Sequence, residues 1–223
     1  MARRRHILTG TMVATLAVLL TIGAVTAQEA ESDTVIYSEI SGDPDNPRRH
    51  FRVKNPATLT PGDAQSIYAA ILPGMLAGYG LNESPVATDY VTWPRYNTAP
   101  CRSATHGQRF INNYANAVAQ NYGAYEDAGV LPVGSILAKD SFKVTDDGVV
   151  QPGPLFLMEK MPEGFNYVTG DWRYRMIMPD GSLFGETLGE GDIRVDYCIS
   201  CHLAASVQGH DHIFFVLGDF RLP

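Results

Sequence analysis

Apolar residues between positions 60 and 80 recur at three-to-four spacing, which is typical of an amphipathic helix. Thr60 supplies a capping hydroxyl and Pro61 stands at the first turn, so we expect the helix to begin there. Pro73 lies within the run and should kink the helix or end it early. The apolar positions are Ile67, Tyr68, Ile71, Leu72, Met75, Leu76 and Tyr79.

A second helix is predicted from about His106 to Asn121, because Phe110, Tyr114 and Val118 form one stripe. Three later runs are rich in β-formers and have the length of strands, with turn signals ending at Gly148, Gly164 and Gly181 between and after them. The runs cover residues 134–140, 154–161 and 171–178. The pattern therefore predicts an α+β fold, mainly an antiparallel β-sheet, with two N-terminal helices and a short helix near the C-terminus.

The first 27 residues have the layout of a secretory signal peptide. A basic start with Arg3, Arg4 and Arg5 precedes an apolar stretch over residues 7–25, and Ala27 ends a small-residue cleavage site. The alternative is a retained membrane anchor, but the apolar core is shorter than the roughly 20 residues that span a bilayer. We therefore expect export to the periplasm and cleavage after about Ala27.

The remaining chain is predicted to form one domain over residues 59–223, preceded by a partly irregular leader over residues 28–58 in which little function is expected. Cleavage would leave 14 basic residues, because three of the 17 are removed, against 24 acidic ones. Such an acidic surface repels nucleic acid and anionic lipid, so both are set aside as partners.

The chemistry of the chain is indicated by Cys198-Ile-Ser-Cys201-His202. This spacing lets two thiols add to the two vinyl groups of one haem while the following imidazole reaches the iron. A redox dithiol and half of a zinc site are the competing interpretations. Zinc would need a second pair of ligands, and a redox dithiol would begin a long helix after a strand. We therefore expect one covalent haem c with His202 as its metal ligand. The third cysteine, Cys101, is expected to be a buried inert thiol, the alternative being an intermolecular link.

The function depends on what binds the opposite face of the iron. A protein ligand there makes an electron carrier, and an open face makes a catalyst or a gas-binding protein. Eight side chains could bind the iron on that face, but sequence spacing singles out none of them. Residues of these types more often pack in the core or form hydrogen bonds than bind iron. The eight are Met158, Met161, Met176, Met178, His50, His106, His210 and His212. From the strand pattern alone, Lys139 is expected to be a solvated edge charge.

The ordered residues around the motif resemble the cytochrome P-460 family, which includes the cytochrome c′-beta proteins. The resemblance covers roughly residues 90–223. It is carried by Trp93, Thr105-His-Gly107, Asn113-Tyr-Ala-Asn116, Pro132-Val-Gly-Ser-Ile-Leu-Ala-Lys139, Met158-Glu-Lys160, Gly170-Asp-Trp172, Pro179-Asp-Gly181, the motif itself and Asp211-His-Ile-Phe214.

The resemblance implies a mainly antiparallel β fold, usually a homodimer, with a five-coordinate c-type haem. In cytochrome P-460 proteins a lysine is cross-linked to the haem ring, and hydroxylamine is oxidised, with nitric oxide as co-reactant, to nitrous oxide or nitrite. Lys139 is the position resembling that lysine, which implies a haem-facing, catalytic and cofactor-binding role. The c′-beta branch implies a gas-binding protein with an apolar distal face.

These implications lead to a hydroxylamine oxidoreductase that passes electrons to an acceptor cytochrome. The alternatives are a gas-binding protein and an electron carrier. Oxidation would need a proton acceptor, for which Glu159, Asp140 and Asp171 are candidates by type only. Four phenylalanines that could form an apolar lid, or equally pack in the core, are Phe110, Phe156, Phe214 and Phe215.

Overall fold

The computed structural model describes residues 45–222, all of which belong to one compact unit. The predicted signal peptide and the first part of the leader lie outside the described residues. Among the described residues, no helix is long and apolar enough to cross a membrane.

Within residues 45–222, three α-helices and seven strands form the framework. The helices are α1 (Pro61–Tyr79), α2 (Val86–Asp89) and α3 (Asp196–Val207). The strands are β1 (Cys101–Arg102), β2 (Phe110–Ala115), β3 (Ile136–Val144), β4 (Val150–Pro152), β5 (Leu155–Lys160), β6 (Trp172–Ile177) and β7 (Leu183–Glu186). Short 3-10 helices cover Tyr90–Thr92, Ala117–Asp127, Tyr167–Thr169, Asp192–Val195 and Gly218–Phe220. The predicted α+β class is confirmed.

The strands form one antiparallel sheet in the order β1-β2-β3-β5-β6-β7, with β4 also paired to β3. The predicted turns around Gly148, Gly164 and Gly181 connect neighbouring strands, and all three glycines have positive φ. Strand β3 is central, since Lys139 is opposite Asn113 of β2 on one side and Phe156 of β5 on the other.

Each face of the sheet carries its own apolar core. Side chains of α1, among them Tyr68 and Met75, pack against Phe142 and its neighbours on one face. Helix α3 packs against the other face through Tyr197 and Cys198. Because both faces are covered, β3 is buried along nearly its whole length.

Helix α1 begins as predicted, with the Thr60 side chain accepting a hydrogen bond from the Asp63 backbone N at 3.1 Å. It continues through Pro73 to Tyr79, so of the two effects expected of Pro73, a kink or an early end, the early end is wrong.

The predicted helix from His106 to Asn121 is also wrong. Residues 110–115 form β2, which pairs with both β1 and β3, and a 3-10 helix follows from Ala117. A spacing of four, as between Phe110 and Tyr114, places two side chains on one face of a strand as well as of a helix. Gly107 and Gln108 have positive φ, which excludes a regular helix at the predicted start.

The later part of the leader is ordered against the domain. Phe51 and Val53 are buried, and the Val53 backbone N donates to the Gly107 oxygen at 2.8 Å. A Cβ at Gly107 would lie 2.0 Å from the Phe51 oxygen, so only glycine lets the two segments approach this closely.

Candidate functional site

Helix α3 carries the motif Cys198-Ile-Ser-Cys201-His202. Cys198 and His202 are four residues apart on the buried side, and Cys201 is exposed between them. Burial raises the pKa of the Cys198 thiol to about 12. The neighbouring Cys201 side chain adds to this rise. The two thiols and the imidazole therefore lie close together, as the spacing predicts.

His202 is held in one tautomer. Its Nδ1 is 2.6 Å from the backbone oxygen of His212, and a carbonyl oxygen can only accept a hydrogen bond. Nδ1 therefore carries the hydrogen, which leaves the Nε2 lone pair free to bind a metal ion. Burial, with a smaller effect of the Lys139 charge, lowers the pKa of His202 to about 3, so the ring is neutral.

The backbone that holds His202 is itself fixed from several sides. Asp211 and His212 both have positive φ. The Asp211 carboxylate accepts from Lys160 Nζ at 2.7 Å and from the Leu131 backbone N at 3.0 Å, and its backbone oxygen accepts from Trp172 Nε1 at 2.8 Å. These bonds set the position of the His212 carbonyl.

Gly170 makes room for this turn. A Cβ at this residue would lie 2.7 Å from Cδ2 of His212. Two of the segments quoted for the resemblance, Gly170-Asp-Trp172 and Asp211-His-Ile-Phe214, thus meet behind the predicted iron ligand.

His202 and Cys198 line a small cavity, here called the histidine cavity. Its wall comes from the leader, the turn before β2, strands β3, β5 and β6, and helix α3. The lining residues are His50, His106, Leu137, Lys139, Phe156, Leu157, Met158, Tyr174, Arg175, Cys198 and His202. Of the four phenylalanines considered for a lid, only Phe156 lines this cavity.

Lys139 is buried, with 8% of its surface exposed, so the expectation of a solvated edge charge is wrong. The pattern could not show that both faces of β3 are covered. Nζ donates a long hydrogen bond of 3.5 Å to the Phe214 backbone oxygen. Burial lowers the pKa of Lys139 to about 8, so that about a tenth of the amine is unprotonated at pH 7.

A second and larger space, the adjoining cleft, shares His106 and Lys139 with the histidine cavity. Phe214 and Phe215 line it, whereas Phe110 belongs to the core on the other face of the sheet. Cys101 also lines the cleft and is buried, as expected, and burial raises the pKa of its thiol.

Three of the eight side chains considered for the opposite face of the iron line the histidine cavity: His50, His106 and Met158. The others do not. The sulfur of Met176, for example, lies 3.9 Å from the Tyr197 hydroxyl instead. The leader was expected to carry little function, yet it supplies His50.

The three carboxylates considered as proton acceptors are not in the cavity lining. Glu159 pairs with Arg173, and Asp171 accepts from the Asn166 backbone N at 2.9 Å. Asp140 is fully buried on the α1 face and accepts from Tyr68 at 2.6 Å and Tyr90 at 3.0 Å.

The cavity fits a haem by two further observations. The Tyr174 hydroxyl is buried and has no hydrogen-bond partner among residues 45–222, which leaves an unsatisfied polar atom where a bound group could accept from it. The two adjoining spaces share His106 and Lys139 and are lined mostly by apolar surface, which suits a porphyrin ring. Within the described part of the chain, no three His, Cys, Asp or Glu side chains are grouped to hold a metal ion by themselves.

No protein-family model matches the chain, and a search of curated proteins gives no match either. The resemblance to cytochrome P-460 proteins therefore stays a prediction that depends on the residues quoted for it.

Proposed function

We propose that this chain is a periplasmic c-type cytochrome with one haem, attached through Cys198 and Cys201 and bound at the iron by His202. It oxidises hydroxylamine, with nitric oxide as co-reactant, at an open haem face and passes the electrons to an acceptor cytochrome. In this proposal the protein acts as a homodimer, and Lys139 bonds to or contacts the haem ring.

One observation carries the proposal. His202 is neutral, donates from Nδ1 to a fixed carbonyl and lines the same cavity as Cys198 and Lys139. An imidazole prepared in this way is a metal ligand with its outer hydrogen bond already made. The Cys198 thiol is one of the two that would form thioether bonds to a haem, and the Lys139 amine is the group that the resemblance implies as a cross-link to the ring.

When bound, a haem with one open face supplies a metal site for the nitrogen of hydroxylamine and an electron acceptor for its oxidation. The chain contributes the surroundings. Phe156, Leu137 and Met158 limit the access of water to the cavity. His202 stays neutral, and the lowered pKa of Lys139 leaves part of its amine unprotonated at the cavity wall where it would contact the ring.

Haem attachment is tested by expressing the chain together with haem-ligation machinery. We expect a coloured protein and a haem-bearing peptide by mass spectrometry. Cys198→Ser and Cys201→Ser should each lose a thioether bond, whereas the control Cys101→Ser should keep both. A colourless wild-type protein would contradict the proposal.

The role of Lys139 is tested by the ferrous Soret band, which a cross-link should shift to the red. Lys139→Ala should lose the shift and the hydroxylamine-dependent reduction of an electron acceptor. Lys143→Ala, on the same strand, is the control and should keep both. If Lys139→Ala leaves spectrum and activity unchanged, Lys139 has no part in the reaction.

The second candidate function is electron transfer without substrate binding. It is favoured by one observation, the presence of His50 and His106 in the cavity lining, since either imidazole could close the iron face. The two functions differ in the ferrous protein, because an open face binds carbon monoxide readily and a closed one resists it.

A further inference from the structure

His50 and His106 form a contacting pair of imidazoles on the wall of the histidine cavity. Their ring centroids are 4.9 Å apart with an interplanar angle of 32°. Phe156 contacts both rings, at 4.9 Å and 5.0 Å. The pair is assembled from two segments, because the leader carries His50 and the turn before β2 carries His106.

Both rings are oriented through Nδ1. The Tyr197 hydroxyl is 3.1 Å from Nδ1 of His50, and the hydroxyls of Ser103 and Thr105 are 3.0 Å and 3.2 Å from Nδ1 of His106. When a hydroxyl donates to Nδ1 of a neutral imidazole, the ring hydrogen is on Nε2. Each ring then has an N–H donor available for a further partner.

Burial, foremost, lowers the pKa of His50 to about 3 and that of His106 well below its ordinary value. Both rings are therefore neutral at physiological pH. A neutral imidazole can donate one hydrogen bond without bringing a buried charge into the cavity.

Most of the other polar side chains of the cavity already have a role or a partner. Arg175 forms a salt bridge with Glu186, Lys139 donates to the Phe214 oxygen, and His202 is the predicted iron ligand. The Tyr174 hydroxyl has no partner among residues 45–222, but its ring packs against the ring of His202, with centroids 5.1 Å apart, so it lies beside the predicted ligand. The two oriented imidazoles remain as donors for a small molecule in the cavity.

We propose that His50 and His106 form the hydrogen-bonding pair that binds the small nitrogen- or oxygen-bearing ligand at the open haem face. The inference rests on the proposed haem site, but it does not require that hydroxylamine is the substrate. It deepens that function by assigning the groups that orient the ligand. A hydrogen bond in this apolar cavity is stronger than one in water.

The test uses carbon monoxide as a probe, because an N–H donor to the bound oxygen lowers the C–O stretching frequency. Infrared spectra and release rates are recorded for the ferrous carbon monoxide complexes of the haem-loaded wild type, His50→Phe and His106→Phe. We expect at least one variant to shift the band to higher wavenumber and to release carbon monoxide roughly fivefold faster, the factor that one net hydrogen bond is worth.

His210→Phe is the matched control, since His210 contacts Phe215 and does not line the histidine cavity. Its band and rate should equal those of the wild type. His50→Gln and His106→Gln keep an N–H donor and guard against loss of folding in the phenylalanine variants. They should retain most of the wild-type band position.

Three results would overturn the inference. If the phenylalanine variants keep the band position and release rate of the wild type, as the glutamine variants are expected to do, the inference is wrong although the haem site remains. A wild type that resists carbon monoxide until one imidazole is removed would show an iron ligand and favour the electron carrier. A wild type without haem would overturn the inference and the proposed function together.

Discussion

At the scale of single residues, the buried amine of Lys139 carries a cost in free energy. A cation inside a protein loses its hydration, and here burial lowers the pKa of the side chain from 10.5 to about 8. A shift of this size corresponds to on the order of 3 kcal/mol against folding while the amine is charged. A residue kept at such a cost in a cavity wall is a candidate for function.

Lys139→Met should therefore raise the free energy of unfolding at pH 7 by up to about 3 kcal/mol. Between pH 8 and 10.5 the unfolded wild type binds more protons than the folded one, so its stability rises with pH. The advantage of the variant should shrink across that range. Urea unfolding of protein produced without haem, at pH 7 and pH 10, measures both effects.

The control is Lys143→Met, on the same strand but only partly buried, which should change the stability by less than about 1 kcal/mol. If Lys139→Met is no more stable than the wild type at pH 7, the lysine is hydrated in solution and the argument from burial fails.

At the level of structural elements, the packing of the leader against the turn before β2 depends on Gly107. Gly107 has φ +70° and the Phe51 oxygen next to it, and Arg109 Nη1 donates to that same oxygen. Gly129 has nearly the same φ, +67°, but a Cβ added there would meet no atom within 4 Å. Comparing alanine substitutions at these two positions therefore distinguishes the cost of backbone strain from the cost of steric contact.

Gly129→Ala should cost about 1 to 2 kcal/mol of stability, the strain of a left-handed alanine. Gly107→Ala should cost clearly more, because the leader must move, and His50 should separate from His106. Thermal unfolding and the reactivity of His50 towards diethylpyrocarbonate, measured by mass spectrometry, test this. Equal losses in both variants, with His50 equally protected, would show that the leader is not held at Gly107.

Local signals explain which elements could be predicted from the sequence. The cap at Thr60, the turn glycines and the Cys198-to-His202 spacing act within a few residues, and their elements were predicted correctly. The segment from His106 to Asn121 was not, because spacing alone could not distinguish its strand from a helix. Its actual state depends on pairing with β1 and β3, which is a long-range effect.

The candidate site, like the fold, could be predicted only where local signals define it. The motif on α3 could be found from its spacing, but the cavity wall could not. His50 contacts Tyr197, 147 residues away along the chain, and no periodicity encodes such a meeting. The burial of Lys139 likewise depends on helices packed over both faces of the sheet.

At the scale of the whole molecule, Asp211 joins distant parts of the chain behind the predicted iron ligand. Its carboxylate binds Lys160 of β5 and the Leu131 backbone, its own backbone oxygen accepts from Trp172 of β6, and the next carbonyl holds His202 of α3. Lys160 Nζ also lies 5.0 Å from the centroid of the Trp172 ring. The side chains of this ion pair are 9% and 5% exposed, so solvent screens them little.

Asp211→Asn should lower the free energy of unfolding by about 3 to 5 kcal/mol, because it leaves the buried charge of Lys160 without its partner. Asparagine tolerates the positive φ of +47° at this position, so the loss reports the charge and not the backbone. Asp45→Asn is the control, since Asp45 pairs with Arg194 at 3.3 Å on the surface and should cost less than about 1 kcal/mol. Chemical denaturation of the wild type and the two variants at pH 7 measures these differences. Equal stabilities would mean that Lys160 is hydrated or has another partner. The turn that holds His202 would then be fixed by Trp172 and the backbone alone.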